Sequence, residues 1–446
     1  MKRYFSKMFP QSSKNRYHKF QASWSNFLAG NPSKKIKIIG VTGTKGKTTI
    51  CNLIAAVLDA AGKRSAMETT INTKIGDKVT MHREKSRWVT TPPSSVINGF
   101  LKKALKAGCK YAVLEVTSQA IDQYRVWGIN FDVLIFSNLT HDHLDYHGSR
   151  DRYLEAKLKV FKDNPQAVAI VNIDDPASKT FLEAKNKRQI VYSTKQPVEN
   201  GVVARKILES SAGSTFTVVG GGNQTTIGLQ IPGIFNVSNA LAAIACGIVC
   251  GIEMDKIKAG LESVAGIPGR MERIKVSQKQ NFEVIVDYAH NPDSLKNVYE
   301  TINHSTSKRG NKLIAVLGAT GRRDKTKRPI MGALAGKNAD FVIVTNEDPY
   351  DEDPQEIIDA VAAGVLKGKK GKWRLNNNYW KILDRHEAIA KAINMAGYND
   401  VVIISGKGAE EVMAVGADKF EPFSDRRVVR YELAKKFKTP ISEEPV

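Results

Sequence analysis

The stretch Thr42-Gly43-Thr44-Lys45-Gly46-Lys47-Thr48-Thr49 decides how this chain folds. An apolar run at residues 36–41 precedes it, and an apolar run with helical spacing at residues 50–61 follows it. This order predicts a strand, a glycine loop and a helix. The two glycines let the backbone curl so that successive N–H groups point at phosphate oxygens, and the helix adds its positive end. The alternative is a chance glycine turn before a helix.

The residue types in the loop suit a nucleotide. Lys47 can reach the outer phosphates, and the Thr48 hydroxyl can bind Mg²⁺. The usual pattern has glycine where Val41 stands, so the loop is a variant of that pattern. We expect ATP or GTP to be bound by the loop residues Gly43, Thr44, Lys45, Gly46, Lys47, Thr48 and Thr49.

Length and composition indicate an ordinary globular protein of two or three domains, since the chain has 446 residues. No uninterrupted apolar run approaches the roughly 18 residues that span a bilayer. There is no secretory signal pattern. The four cysteines are scattered, which argues against a disulfide framework and a cysteine zinc site. We expect a cytoplasmic monomer.

The net charge of +22 is the unusual global property. It suits nucleic acid, an anionic membrane or anionic small substrates, although a generally basic surface explains it as well. No nucleic-acid module is recognisable, so we expect no nucleic-acid partner. The first 37 residues contain no aspartate or glutamate.

The basic arm at residues 1–35 carries cations among aromatic residues and serines: Lys2, Arg3, Lys7, Lys14, Arg16 and Lys19. Three interpretations stay open. The arm forms a small helix in weak contact with an anionic membrane surface, it is an organelle transit peptide, or it is loosely ordered.

Strand-like and helical runs alternate from residue 36 to residue 268. Buried-strand runs at 111–116, 131–136 and 167–172, with helical runs at 94–107 and 153–161, predict a doubly wound parallel α/β sheet of the kind that holds phosphate loops. The polar and apolar alternation at 201–229 predicts a small antiparallel appendage.

A second α/β series follows Gly266-Ile267-Pro268-Gly269, which marks a domain boundary. Its strand-like runs lie at 282–286, 313–317, 341–345 and 401–405 and predict a Rossmann-like domain. The expected organisation is a basic arm at 1–35, a central ATP-binding domain at 36–268 and a C-terminal domain at 269–446.

Several polar clusters follow predicted strands, where ligands bind in open α/β sheets. Glu115 ends one strand and is either a hard-oxygen Mg²⁺ ligand or half of a rim salt bridge. Residues 138–148 hold three histidines and two aspartates within seven positions, which favours metal or phosphate contact, although the spacing is not a zinc signature. Asp287 suits ribose hydroxyls, and the cation-rich loop at 318–328 suits carboxylates or phosphates.

Further motifs accompany these clusters in a fixed order: Thr90-Thr91-Pro92, Tyr153-Leu154-Glu155-Ala156-Lys157, Gly233-Ile234-Phe235-Asn236-Val237-Ser238-Asn239-Ala240, Pro268-Gly269-Arg270-Met271-Glu272 and Gly406-Lys407-Gly408-Ala409-Glu410. Together they resemble the Mur ligase superfamily, from about residue 36 to about residue 433. Within it they most resemble the UDP-N-acetylmuramoyl-tripeptide synthetases, which add the third residue of the peptidoglycan stem peptide.

The resemblance implies a set of site residues. It implies two Mg²⁺ ions held by Thr48, Glu115, His143 and Lys157, with Lys157 carbamylated, and catalysis by Lys47, Lys157, His143 and Glu115. It places the ATP nucleoside near Asn236, Asn239, Arg270, Asp287 and His290. It places the two other substrates near Thr90, Thr91, Ser118, Arg125, Arg323, Asp348, Gly406 and Glu410.

The implied reaction is amide-bond formation through an acyl phosphate, between an anionic peptide-nucleotide or peptide acceptor and a free amino acid. Three departures from the family pattern qualify it. Thr117-Ser118-Gln119 and Gly408-Ala409-Glu410 stand where the family has Ser-Ser-His and Gly-Lys-Gly-His-Glu. About 35 residues precede the loop, where the family has a uridine-binding domain. In addition, Glu347-Asp348-Pro349-Tyr350 replaces the Asp-Asn-Pro-Arg of diaminopimelate-adding members. Tyr350 cannot form the two-pronged pair of an arginine, so diaminopimelate is disfavoured, whereas Glu410 suits the amine of a diamino acid such as lysine.

Other functions remain alternatives. A sibling ligase would act on poly-γ-glutamate, a folate tail, a cyanophycin-like chain or pseudomurein. A non-ligating ATP-dependent binding protein would be expected to lack Glu115, His143 or Lys157, and all three are present. A nucleic-acid-binding ATPase has no supporting motif.

Overall fold

The computed structural model of the chain describes residues 11–82, 90–140, 144–199, 201–210, 212–306, 311–368 and 372–441. These residues form two large open β-sheets, and helices cover both faces of each sheet. This confirms the predicted doubly wound α/β class. In the same ranges, no helix combines the length and the apolar character needed to cross a membrane.

The first sheet has eleven strands in the order β11-β10-β9-β8-β7-β6-β1-β5-β2-β3-β4. Strands β2, β5, β1, β6, β7, β8 and β9 pair in parallel. The bounds are β1 Lys37–Thr42, β2 Ser65–Glu68, β3 Asn72–Ile75, β4 Lys78–Met81, β5 Tyr111–Glu115, β6 Val133–Phe136, β7 Val168–Asn172, β8 Arg188–Ser193, β9 Gly201–Ser210, β10 Gly213–Gly220 and β11 Asn223–Leu229.

The antiparallel stretch predicted after residue 200 is present, but it extends the main sheet. Strand β9 pairs in parallel with β8, where Tyr192 faces Val202, and then starts the antiparallel meander β9-β10-β11. The opposite edge also ends in antiparallel strands, β3 and β4.

Alternate side chains of the central strands enter two separate cores, which explains the near-continuous apolar runs. The helix bounds are α1 Gln11–Leu28, α2 Lys47–Ala60, α3 Ser94–Lys106, α4 Ser118–Asp122, α5 Leu144–His147, α6 Arg150–Lys162, α7 Ser178–Leu182, α8 Ile234–Val249 and α9 Met254–Glu262. Ile39 belongs to the core that α2, α8 and α9 cover, and Ile38 belongs to the core under α3 and α6.

The second sheet has the order β12-β13-β17-β14-β15-β16 and is parallel except for β12. Its strands are β12 Glu272–Arg273, β13 Glu283–Asp287, β14 Leu313–Leu317, β15 Phe341–Thr345, β16 Tyr379–Ile382 and β17 Val401–Ser405, followed by the hairpin β18 Val412–Ala414 and β19 Phe420–Pro422. Its helices are α10 Pro292–Thr306, α11 Lys327–Asn338, α12 Pro354–Val365, α13 Arg385–Met395 and α14 Asp425–Phe437.

The order of the strands positions the site. Strand β1 lies between β5 and β6, so the first sheet changes winding direction there. The carboxyl ends of these strands, at Thr42, Glu115 and Phe136, therefore open at one edge of the sheet.

Candidate active site

Two glycines shape the loop between β1 and α2, and both have positive φ, +150° at Gly43 and +83° at Gly46. A Cβ at Gly43 would collide with the Ser137 hydroxyl oxygen, and one at Gly46 would collide with the Asn239 amide oxygen. The loop therefore needs glycine both for its turn and for its close neighbours.

The segment after β6 holds this loop in place. Asn138 accepts the Lys45 N–H through its side-chain oxygen at 2.9 Å and the Thr44 N–H through its carbonyl oxygen at 2.8 Å. The Ser137 hydroxyl donates to the Lys45 carbonyl oxygen at 2.7 Å. Asn138 is the first residue of the histidine-rich segment, and nothing in the sequence pattern predicts this anchoring role.

Lys47 begins α2, and its side chain folds back over the loop. Its ammonium group donates to the carbonyl oxygens of Gly43 at 3.1 Å and Thr44 at 2.9 Å, and it lies 3.9 Å from Glu115 Oε1. The cation therefore lies directly over the backbone turn in which phosphate oxygens would bind.

Glu115, at the end of β5, is buried and fixed by three hydrogen bonds. Its Oε2 accepts the Thr48 hydroxyl, the Thr70 N–H and the Thr70 hydroxyl, each at 2.9 Å. Nothing in the sequence pattern singled out Thr70. Carboxylate and hydroxyl oxygens are the ligands that Mg²⁺ prefers, so Glu115 and Thr48 fit one Mg²⁺ ion. Among the described residues no group of three or more His, Cys, Asp and Glu side chains is arranged to hold a metal.

Lys157 is almost completely buried on α6 and reaches the same loop. Its ammonium group donates to the Gly43 carbonyl oxygen at 2.8 Å and lies 4.5 Å from the centre of the Tyr153 ring. The Tyr153 hydroxyl is in turn 3.0 Å from the Thr44 hydroxyl. The predicted ligand His143 lies outside the described residues, as do His141 and Asp142.

The predicted acceptor-side residues form a network next to Glu115. The buried Thr91 hydroxyl donates to the Glu115 carbonyl oxygen at 2.8 Å, and Arg125 donates to the Thr91 carbonyl oxygen at 2.6 Å. Thr90 has a φ of +65°, which turns the chain immediately before Thr91. The Ser118 hydroxyl is 3.0 Å from His147 Nε2.

A polar cavity of about 760 Å³ opens beside this network. His147, Arg152 and Lys159 line it, together with the acidic Asp122 and Glu155. Its size suits a small-molecule ligand.

The predicted nucleoside residues lie on both sides of the loop. Asn239 on α8 touches Gly46 and donates to Asn236 at 3.1 Å. Asp287, at the end of β13, accepts the N–H groups of Met271 at 2.7 Å and Ala289 at 2.8 Å. Burial raises the pKa of this carboxyl above its usual value, and the nearby Arg270 partly offsets that effect.

Tyr288, next to Asp287, contacts two of the predicted nucleoside residues. The Arg270 guanidinium lies 4.2 Å from the centre of the Tyr288 ring, and His290 Nδ1 lies 2.8 Å from the Tyr288 carbonyl oxygen. The two halves of the chain meet here, since Lys45 Nζ is 4.0 Å from Asp293 Oδ2.

The predicted amino-acid residues surround a buried lysine that the sequence analysis did not assign. Lys407 is fully buried and donates to Asp348 Oδ1 at 2.8 Å and to Glu410 Oε2 at 3.0 Å. Gly406 has a φ of +119° and abuts the carboxylate of the buried Glu347. Within the described residues no hydrogen-bond donor reaches Glu347 Oε2.

In the cation-rich loop at 318–328, Arg322 makes the described contacts, and the predicted substrate residue Arg323 follows it. Arg322 pairs with Asp351 and lies 5.5 Å from the centre of the Tyr350 ring. Arg323 is exposed in the same loop.

Comparison with protein families gives two matches. Residues 41–247 match the Mur ligase middle domain, and residues 269–408 match the Mur ligase glutamate ligase domain.

Similar curated proteins extend over most of the chain. The UDP-N-acetylmuramoyl-L-alanyl-D-glutamate--2,6-diaminopimelate ligase of Syntrophomonas wolfei subsp. wolfei is 40% identical over 412 residues, which cover 92% of this chain and 80% of the relative. The Bacillus cereus protein of the same name is 36% identical over 413 residues, which cover 91% and 80%.

Solved structures agree in fold. One described as UDP-N-acetylmuramoyl-L-alanyl-D-glutamate--2,6-diaminopimelate ligase aligns with a TM-score of 0.64 and 30% identity, covering 95% of this chain and 83% of that one. Folylpolyglutamate synthase of Mycobacterium tuberculosis aligns with a TM-score of 0.70 over 96% of both chains, at 18% identity.

Proposed function

Because this chain belongs to the Mur ligase family and is an ATP-dependent ligase, we propose that it adds an amino acid to a UDP-N-acetylmuramoyl-dipeptide during peptidoglycan precursor synthesis. The observation that carries the proposal is that four side chains converge at one glycine loop: Lys47, Thr48, Glu115 and Lys157. Each of these side chains suits a reaction in which two anions must approach each other.

The first step activates the acceptor carboxylate. A carboxylate oxygen attacks the terminal phosphorus of ATP, the bond to the bridging oxygen breaks, and ADP leaves an acyl phosphate behind. Lys47 and the loop N–H groups offset the charge of the phosphates. Mg²⁺ bound to Thr48 and Glu115 would supply further positive charge.

The second step forms the amide. The amine nitrogen attacks the acyl carbon, phosphate leaves with its oxygen, and the nitrogen releases a proton. For this step the C-terminal half must present the amino acid to the loop, and the contact of Lys45 with Asp293 brings the two halves together there.

Lys157 suits the carbamate role. Carbon dioxide would add to the unprotonated amine with release of a proton, giving an anionic carbamate whose N–H can still donate to the Gly43 carbonyl oxygen. The Tyr153 ring faces the charged ammonium group of Lys157. After carbamate formation it would face the uncharged carbamate nitrogen. We assign Glu115, His143 and the carbamate to a second Mg²⁺ ion.

The amino acid is proposed to be a diamino acid such as lysine, without the distal carboxylate of diaminopimelate. Tyr350 stands where diaminopimelate-adding members have an arginine, and its ring lies beside Arg322. A tyrosine ring cannot form the two-pronged pair with the distal carboxylate that the arginine forms. Two carboxylates, Glu347 and Glu410, lie near Gly406 and suit an ammonium group. Cations lie near both carboxylates, since Lys407 pairs with Glu410 while Arg385 and Lys327 act on Glu347. Glu347 is the better acceptor because no donor reaches its Oε2 atom within the described residues.

We propose two domains, at residues 36–268 and 269–446. The boundary falls between the end of α9 at Glu262 and the start of β12 at Glu272. All four cysteines are unpaired, which suits the reducing cytoplasm.

A substrate panel tests the proposal. Release of ADP is measured with UDP-N-acetylmuramoyl-L-alanyl-D-glutamate, a folate, a poly-γ-glutamate and a pseudomurein-type acceptor, each with single amino acids, and products are identified by mass. We expect ADP and UDP-tripeptide in equal amounts only when the UDP-dipeptide and an amino acid are both present, and neither with the Lys47→Ala variant. Product from another acceptor alone, or unchanged ADP release without any acceptor, would refute the proposal.

A further inference from the structure

Helix α1 packs against the first domain through small and polar residues. Ala22 is completely buried, Asn26 donates to the Gly128 carbonyl oxygen at 2.7 Å, and Ser25 accepts a hydrogen bond from Asn98 at 3.1 Å. These inward residues recur at helical spacing, so one face of α1 is fixed to the protein.

The opposite face of α1 is apolar and exposed. Five large side chains on it have high exposed fractions: Tyr17 60%, Phe20 66%, Trp24 54%, Phe27 66% and Leu28 64%. Their spacing of three and four residues gathers them into one stripe. We call this set the aromatic stripe. The helix thus exposes its large apolar residues and buries its small ones, the reverse of a surface helix that serves only its own core.

The stripe is a continuous surface. The Phe20 and Trp24 rings stack with centroids 6.3 Å apart, and the Trp24 and Phe27 rings lie 6.0 Å apart. Other strongly exposed apolar side chains among the described residues, such as Leu208 and Tyr398, are isolated along the chain. Clustered exposed apolar residues mark an interaction surface, whereas single ones do not.

The charge around the stripe selects the kind of partner. The sequence has no aspartate or glutamate before Asp59, while Lys14, Arg16 and Lys19 belong to α1 itself. The Lys19 ammonium group lies 4.0 Å from the centre of the Trp127 ring, on the side of α1 that faces the protein. Residues 1–10, outside the described part, add Lys2, Arg3 and Lys7 to the sequence. A second copy of the chain would bring an equally cationic helix against this one, so like charges disfavour self-association through the stripe.

We propose that α1 docks on the surface of an anionic lipid bilayer, with the aromatic stripe in the interfacial layer and with the net positive charge of the N-terminal sequence attracting the anionic headgroups. Aromatic rings favour that layer because each has an apolar body, and Tyr17 and Trp24 add a polar atom. The helix lies along the surface, because its polar and cationic residues exclude burial of the whole helix. The inward face stays bound to the protein and holds the first domain at the membrane.

Vesicle flotation tests the proposal with the full chain. We expect at least tenfold more protein on vesicles of phosphatidylcholine and phosphatidylglycerol than on vesicles of phosphatidylcholine alone, with binding weakened by high salt. A triple variant, Phe20→Ser, Trp24→Ser and Phe27→Ser, should lose binding, whereas the matched triple Leu208→Ser, Leu366→Ser and Tyr398→Ser, also exposed, should keep it.

Other outcomes overturn the proposal. The first is that the parent chain does not bind vesicles, and the second is that the two triple variants bind equally well. The third is that the parent self-associates in light scattering and that only the α1 triple variant abolishes this association. The aromatic triple should keep the parent's ATP-dependent activity without vesicles, so failure of the docking proposal is distinguishable from failure of the ligase proposal. Circular dichroism of the triple variants confirms that each is folded.

Discussion

The Lys157 ammonium group donates a hydrogen bond to the Gly43 carbonyl oxygen at 2.8 Å, joining α6 to the glycine loop across 114 residues of sequence. A buried cation held at this position is unusual unless the site uses it, because burial of a charge is costly. The contact places Lys157 at the glycine loop, where the resemblance to the family motifs predicts it, and it supports the carbamate role that we propose for this residue.

Replacing Lys157 by alanine should lower the turnover of ATP by about 100-fold, since charged groups that stabilise a transition state contribute on that scale. Added acetate or formate should restore part of the activity by filling the space with a carboxylate. Lys162→Ala, an exposed change on the same helix, is the control and should behave as the parent. Full activity of Lys157→Ala would contradict the assigned role. Activity that is lost and that acetate or formate does not restore would refute only the proposed carbamate.

Replacing Glu115 by glutamine should raise the Mg²⁺ concentration needed for half-maximal ADP release by at least about tenfold. The amide keeps the shape, and its oxygen still accepts from Thr48 and Thr70, but the charge that a divalent ion requires is gone. Titration of Mg²⁺ against the initial rate measures the effect. Glu183→Gln, at an exposed site, should leave the Mg²⁺ curve unchanged, and an unchanged curve for Glu115→Gln would argue against this ion site.

Replacing Tyr350 by arginine should increase kcat/KM for meso-diaminopimelate relative to L-lysine by about tenfold or more, because a hydrogen-bonded charge pair contributes about 1.5–3 kcal/mol. Tyr350→Phe, which keeps the ring next to Arg322, is the matched control and should leave the preference unchanged. A parent chain that already prefers diaminopimelate would show that Tyr350 does not decide specificity.

Burial raises the pKa of Glu68, at the end of β2, to about 7, and the charge of nearby Glu115 adds to that rise while a hydrogen bond from Thr73 opposes it. Between pH 4.5 and 7 the folded protein keeps this proton and the unfolded chain has lost it. The free energy of unfolding therefore falls with rising pH, by up to about 1.4 kcal/mol per unit from this group.

The Glu68→Gln variant checks this sign. Urea unfolding at pH 5 and pH 8, without nucleotide, should show a smaller loss of stability in the variant than in the parent, because glutamine cannot release a proton. Glu209→Gln, an exposed change on β9, should follow the parent. An equal pH dependence in all three proteins would disprove the raised pKa.

The sequence predicted the sheets well because strands buried on both faces leave continuous apolar runs, as at Tyr111–Glu115 and Leu313–Leu317. The sequence did not reveal that β9 to β11 continue the first sheet, because the residues of a strand do not show which other strand it pairs with. Of the N-terminal interpretations, the structure has a helix at Gln11–Leu28.

The site was predicted less completely than the fold. Residues in the loop and at strand ends, such as Lys47 and Glu115, carry a pattern that can be found in one sequence. Three further residues are held in the site by hydrogen bonds or ion pairs to residues that are distant in the sequence: Thr70, Asn138 and Lys407. Such contacts depend on tertiary structure, so the sequence alone could not identify them. The roles assigned to the site residues stay predictions.

The central claim is that the terminal phosphoryl group of ATP moves to the acceptor carboxylate before the amide forms. The most direct measurement uses a UDP-dipeptide whose reacting carboxylate carries ¹⁸O in both oxygens, with mass analysis of the phosphate that is released. The account predicts one ¹⁸O atom in each phosphate, because that oxygen bridges phosphorus and carbon in the acyl phosphate. Phosphate without ¹⁸O, or release of AMP and pyrophosphate, would contradict it.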